Sequence, residues 1–268
     1  PFPWRCTTGQ KKLVAEGLIN AADRTGRLDD RAEAASSVSM DLEEYYSLLE
    51  YRSITREWFK EEPHQWFWPS YDRNLSILIN EEDHLRIQMI EPGFQLARTY
   101  ALGLDLANSI EEFIPFSKHP EFGYLTPSLS NVGNGMRLGC LLHLPCISQG
   151  NLLNKLIDSE AMQDCTLRGI YGEGTSGAGD FYQLSNRFCY GDQYSRTLAS
   201  VRKGVIYAFE MERSIRKSMY GNLNGRDKLS EHASNCLTEI YSSDLPVDKL
   251  LGHLSWLRLA VCMGALPG

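Results

Sequence analysis

The sequence contains no apolar run near the ~18 residues that a bilayer-spanning helix needs, so no membrane span and no membrane partner are expected. Its first residues, "PFPWRCTTGQ", lack the basic start and apolar core of a secretory signal. Positive charge is scarce as well: 27 Lys and Arg stand against 34 Asp and Glu, a net charge of −7. A general nucleic-acid binder needs a basic face, so nucleic acid is not an expected partner. The seven cysteines (Cys6, Cys140, Cys146, Cys165, Cys189, Cys236 and Cys262) are odd in number and never form a CxxC pair. That spacing speaks against a zinc site or a disulfide framework and for reduced thiols in a cytoplasm. Internal repeats and low-complexity segments are missing too. The chain starts at Pro1 and not at Met, which reads as a fragment or a trimmed product.

What is there is the composition of an ordinary globular protein. At 268 residues, 43% hydrophobic and 23% charged, it suits one large domain or one domain with a helical appendage. Residues 11–60 are rich in helix formers, and "DLEEYYSLLEYR" spaces its apolar residues as a helix does. "EEPHQWFWPSYDRN" reads as a loop bracketed by Pro63 and Pro69, its tryptophans either a plug over the core or a platform for a base. Strands are expected at residues 76–79 and 85–90, stopped by Pro92 and Gly93, with a helix over residues 94–113. A second strand-rich block follows: "FGYLT", the turn "PSLSNVGNG", then "MRLGCLLHLP". Ser148 or Asn151 is placed to cap a helix running to about Glu160. "CTLRGIYG" and "FYQLSNRFCYG" read as strands on either side of the glycine-rich "EGTSGAGD". Residues 194–220 are helical in pattern, with Leu198, Val201, Val205, Ile206 and Phe209 on one side, and the tail from Leu223 is helical too. Strands joined by tight turns, with helices grouped between them, predict an α+β fold: a mainly antiparallel sheet flanked by helices, with a C-terminal helical segment.

The chemistry concentrates in three places. "ILINEEDHLRIQMI" sets Glu81, Glu82, Asp83 and His84 between two apolar runs and places Arg86 in the second. The acids either decorate a solvated turn or form a site. Arg86 has counterparts at two other strand ends: Arg137 after "SNVGNG" and Arg168 before "GIYGEG". An arginine at an apolar strand position is costly unless its guanidinium is paired. Each alone reads as a rim salt bridge. Converging, they would cradle a polyphosphate, because the planar fork matches phosphate oxygens. Glu82, near Arg86, and Glu173, in the loop after Arg168, would suit a cationic acceptor such as a guanidinium. That group is a poor nucleophile while protonated. Gly172 and Gly174 would let Glu173 ride on a closing loop.

"NEEDHLRIQMI", "GYLTPSLSNVGNGMR…LHLP" and "RGIYGEGTSGAGDFYQLSN", in this order, resemble the catalytic domain of the phosphagen (guanidino) kinases and, within that superfamily, the bacterial protein-arginine kinases. The similarity runs from "PFPWR" to "LRLAVCMGAL". It implies a sheet flanked by helices with a nucleotide lying across it, a catalytic domain over residues 1–222, and the beginning of a helical dimerisation domain over residues 223–268. The activity implied is ATP-dependent phosphorylation of the guanidinium of arginine residues in proteins, in a bacterial cytoplasm. On this resemblance Glu82 and Glu173 clamp and activate the acceptor. Arg86, Arg137 and Arg168 hold the ATP phosphates, with Mg2+ bridging them. The partners implied are proteins with exposed arginine, an activating adaptor protein and a second copy in a homodimer.

The chain departs from the family pattern at several points. The family's "SSRIRLARN" block is expected upstream of "PFPWR", and the segment carrying a phosphoarginine-recognition motif beyond Gly268. Ser128 occupies the position of a family cysteine whose thiolate would tune the acceptor site, and serine has no comparable acidity. Two alternatives stay open on the sequence: a kinase of free arginine or another guanidino compound, and a silent nucleotide- or arginine-binding module. Tyr171, where free-guanidino kinases commonly carry another arginine, and the helical tail after Asn222 favour a protein acceptor.

Overall fold

The computed structural model describes residues 1–28, 34–54, 58, 64–70, 74–169, 177–189, 194–242 and 244–267. They form two compact units, one built on Pro1–Met136 and the other on the described residues from Arg137 onward.

In the first unit, α1 (Thr8–Arg24) opens on a reciprocal cap. The Gln10 N–H donates to the Thr7 hydroxyl at 3.3 Å, and the Thr7 N–H donates to the Gln10 side chain at 2.9 Å. Next come β1 (Ala35–Ser36), α2 (Leu42–Glu50), β2 (Trp66–Pro69), β3 (Leu75–Ile79) and β4 (Leu85–Met89). The unit closes with α3 (Leu96–Glu111), β5 (Lys118–His119) and β6 (Gly123–Tyr124). β1 to β4 form one antiparallel sheet in chain order, and β5 pairs with β6. The sheet is covered on both faces, which is why Ile77, Leu78 and Ile79 follow one another in β3 without a polar residue between them. Ile77 and Ile79 pack with Ala15 and Leu18 of α1 and Leu106 and Ile110 of α3. Leu78 faces the other way, toward Tyr45 and Leu48 of α2 and Trp58.

The tryptophan-rich segment expected as a loop contains a strand. In β2, Phe67 joins the Leu78 cluster while Trp66 and Trp68 pack on the Ile77 side, so the aromatics are core and not a base platform. Pro69 disguised this alternation. It stands past the last β2 residue paired with β1, so its missing N–H costs that ladder nothing.

The second unit runs β7 (Gly139–His143), α4 (Pro145–Gln149), α5 (Leu153–Ile157), β8 (Cys165–Gly169) and β9 (Phe181–Asn186). Three longer helices follow: α6 (Tyr194–Tyr220), α7 (Leu223–Ser242) and α8 (Val247–Cys262). β9 lies between β7 and β8, antiparallel to both. α6 packs close against this sheet: a Cβ on Gly204 would come within 3.1 Å of the Cys165 sulfur. The expected helix from Ser148 or Asn151 to about Glu160 is instead the pair α4 and α5, entered from Leu144 and Leu152. Pro145, preset for a first helical turn, starts α4, and Asn151 turns the chain between them with φ 55°. On α6 the buried stripe is Thr197, Val201, Gly204, Val205, Ala208 and Glu212, while Ile206 and Phe209 face outward. Close packing selected the small residues. An apolar count alone passes over them.

Candidate active site

The acid turn of the first unit joins β3 to β4, whose last pair is Ile79 with Leu85. Asn80 anchors it. This residue is 1% exposed and has φ 58°, a left-handed geometry that asparagine tolerates. Its N–H donates to the His84 carbonyl at 3.1 Å, and its amide nitrogen donates to the carbonyls of Lys11 at 2.9 Å and His64 at 2.8 Å. Its amide oxygen lies 2.7 Å from Nδ1 of His84, whose Nε2 is 2.9 Å from the Pro1 carbonyl. Both ends of the turn are thereby tied to neighbouring chain, and Glu82 is left exposed between them.

Arg86 does not pair with Glu82 as its neighbourhood in sequence suggests. Its Nη1 meets Glu81 at 3.3 Å, and its Nη2 donates to Gln88 at 3.4 Å. The Glu81 side chain is 11% exposed against 40% for Arg86, so the guanidinium covers the inner carboxylate and Glu82 stays outside the pair. Asp83 is the group the sequence left without a role. Burial pushes its carboxyl up to about 6, and the charges of Glu82 and Glu81 push the same way against Arg86. Crowded carboxylates in one turn make a strongly negative patch, the environment that a cation relieves.

Ser128 lies in a different loop of the same unit. Its hydroxyl shares a hydrogen bond with Ser130 at 2.8 Å, and its carbonyl accepts from the Thr126 hydroxyl at 2.8 Å and the Asn131 N–H at 3.0 Å. The loop is pinched at its base, where the Tyr124 N–H donates to the Gly133 carbonyl at 2.7 Å. A Cβ on Gly123, at φ 75°, would approach that carbonyl oxygen to 2.4 Å, so only glycine fits.

In the second unit Arg137 is exposed, one residue before a clamp. The Leu138 N–H donates to the buried Asn186 side chain at 2.7 Å, and the Asn186 N–H returns to the Leu138 carbonyl at 3.1 Å. Arg168, on β8, stands opposite Gln183 of β9, which stands opposite Leu141 of β7. The next row, Leu167, Leu184 and Cys140, points to the opposite face, where Leu184 is fully buried. Gln183 and Leu141 are exposed, and the half-buried Arg168 shares their face of this sheet. Glu173, with Tyr171, Gly172 and Gly174, lies outside the described residues.

The sequence reading missed Asn80 and Asn186, and it named Asp83 without a separate role. A signal for the two asparagines was available: each stands at the end of a strand-like run, in "ILIN" and "YQLSN", where a buried amide must find partners.

The pattern of the family described as ATP:guanido phosphotransferase, C-terminal catalytic domain, matches residues 14–215. The protein-arginine kinase of Halalkalibacterium halodurans is 30% identical over 100% of this chain and 75% of its own length. That of Syntrophomonas wolfei is 35% identical over 73% of this chain and 54% of its own length. The chain therefore spans between about half and three quarters of these relatives. Among solved structures, the duplicated taurocyamine kinase of Schistosoma mansoni superposes with a TM-score of 0.70, covering 80% of this chain and 31% of that one. At 22% identity this likeness bears on the fold alone. An antiparallel α+β fold, a pinned turn of carboxylates and a match over residues 14–215 lead to one conclusion: this chain belongs to the ATP:guanido phosphotransferase family.

Proposed function

We propose that the chain is an ATP-dependent kinase that phosphorylates the guanidinium of arginine residues in proteins. The observation that carries the reading is the acid turn, with Glu82 exposed beside the half-buried Asp83 and the Glu81–Arg86 pair. In this reading a guanidinium nitrogen of the acceptor attacks the γ-phosphorus of ATP. The N–P bond forms as the bond to the β,γ-bridging oxygen breaks, and the guanidinium proton passes to carboxylate. Glu82 and Glu173 are assigned to the acceptor, and Arg86, Arg137 and Arg168 to the charge of the phosphates. Mg2+ enters with ATP as part of the substrate, carried mainly by phosphate oxygens, as the ion commonly is. Ser128 is assigned to the acceptor side, its hydroxyl offering a neutral hydrogen bond where a thiolate would offer charge.

The curated relatives are named protein-arginine kinases, which supports a protein acceptor over a free guanidino compound. Incubated with ATP, Mg2+ and an arginine-rich protein, the chain is expected to place acid-labile phosphate on protein arginine, with free arginine a poor acceptor. The opposite preference would move it to the free-guanidino kinases. ATP binding without transfer to either acceptor would make it a silent module. Full turnover by the purified chain alone would remove the activating adaptor from the reading. The cytoplasm is the compartment that supplies its ATP, and recovery of the protein outside that fraction would contradict this location.

Residues 1–222 are assigned to the catalytic domain and residues 223–268 to the beginning of a helical dimerisation domain. Support comes from α8, whose Val247, Leu254 and Val261 recur every seven residues and are 65%, 46% and 42% exposed. A seven-residue apolar repeat is the seam through which one helix packs on its copy. Leu254→Glu is therefore expected to sediment as a monomer under conditions where the wild type is a dimer. A monomeric wild type, or a dimeric variant, removes α8 from the interface.

A further inference from the structure

Between the segment that contains Glu173 and strand β9 lies a short stem. Ala178–Asp180 make one 3-10 turn that runs directly into Phe181. Gly179 and Asp180 both have left-handed backbone, at φ 61° and 58°. A Cβ on Gly179 would come within 3.0 Å of the Leu251 carbonyl oxygen, so α8 lies directly against the stem. On the opposite side a Cβ on Gly177 would come within 2.4 Å of the Tyr182 ring, whose hydroxyl bonds Ser148 at 2.9 Å.

A chain of hydrogen bonds reinforces this contact. The Ser255 hydroxyl, on α8, donates to the Asp180 carboxylate at 2.6 Å, and the Gln149 amide donates to the same oxygen at 3.4 Å. With its proton committed to Asp180, the Ser255 oxygen accepts the Nε2–H of His143, 2.8 Å away at the end of β7. Burial, with Arg258 and Arg216 nearby, pushes the His143 imidazole down to about 4, which keeps it neutral and limits it to one N–H. The backbone joins in: the Leu144 N–H donates to the Asp180 carbonyl at 2.9 Å. Ser255 is 2% exposed between the apolar Leu254 and Trp256, where a buried hydroxyl needs the bonds it makes.

We propose that α8 sets the position of the stem Gly177–Asp180 through Leu251 and Ser255, and that Ser255 is a positioning residue for phosphoryl transfer. The C-terminal helical segment is then part of the working catalytic unit and not an appendage to it. This rests on the assignment of Glu173 to the acceptor, since the stem is the described backbone that follows it.

The test uses the whole chain and three variants. Ser255→Ala breaks the bond from the helix side. Asp180→Gly breaks it from the stem side without backbone strain, because glycine suits φ 58°. Asp180→Asn keeps both the left-handed backbone and an acceptor oxygen. In the first two, the amides of Leu144, Asp180 and Phe181 are expected to exchange hydrogen about tenfold faster, with Leu78 and Ala233 unchanged. Their kcat should fall about tenfold while the KM for ATP holds, because a misplaced reacting group costs rate without costing nucleotide binding. Asp180→Asn should stay near wild type in both readouts. Unchanged exchange in Ser255→Ala and Asp180→Gly overturns the proposal, as does unchanged kcat. Exchange accelerated throughout the chain overturns it too, leaving Ser255 a folding residue. A wild type that transfers no phosphoryl group fails the functional assignment and the positioning role with it, while the exchange pattern still decides whether α8 grips the stem.

Discussion

Glu82→Gln is expected to lower kcat by about 10²–10⁴-fold, the range over which a positioned general base typically contributes. ATP affinity, measured by calorimetry, should stay near that of the wild type. The substitution keeps the shape of the side chain and removes the charge that draws a proton from the acceptor. It is also structurally mild: Glu82 is exposed, and the turn is held by Asn80 and His84, whose bonds to Lys11, His64 and Pro1 do not involve it. A second readout makes the test local. Burial is the main cause that pushes the Asp83 carboxyl up to about 6, and the charge of Glu82 adds to it. In Glu82→Gln the Asp83 carboxyl should therefore titrate lower, as followed by NMR, while staying above its ordinary range. Near-normal transfer by the variant would remove Glu82 from the chemistry, whatever Asp83 does.

Arg168→Ala is the second large effect. Loss of one donor aimed at developing charge costs about 10²–10³-fold in rate, and here ATP binding should weaken as well, since the phosphates are charged before the reaction begins. Arg168→Lys should recover only part of this. A lysine keeps the aliphatic stem on the strand but replaces a planar fork by a point charge. The position favours a clean result: Arg168 sits in register opposite the exposed Gln183, and Leu184, fully buried on the other face, is untouched by the change. Equal ATP affinity in wild type and Arg168→Ala would sink the phosphate assignment. A matching fall in thermal stability would instead point to a structural ion pair.

Much of the molecule was legible from residue patterns. β3 and β4 follow from two apolar runs around a polar turn, and α6 occupies residues 194–220 as its periodicity indicates. These features depend on local period, and local period is written in the sequence. The acidic turn and the three arginines stand out by their places between apolar runs and at strand ends, whereas Ser128 is singled out only by the family resemblance. Misreadings arose where packing overrode a local signal. Pro69 marks a loop only if its N–H is needed, and past the end of β1 it is not. Ile206 and Phe209 look like a buried face of α6 until Gly204 and Ala208 are seen to pack in their place.

By itself the sequence determined most element types, the α+β class and the residue types of the candidate site, because each depends on spacing along one chain; β2 and the break between α4 and α5 were not among them. Tertiary structure alone decided the partners. It paired Arg86 with Glu81 and not Glu82, left Asp83 half-buried, and used Asn80 and Asn186 to tie strand ends to loops distant in sequence. It also brought Ser255 onto Asp180, residues separated by the whole of α6 and α7. Such choices turn on angles and distances of a few ångströms between segments far apart in the chain, and linear spacing does not encode them.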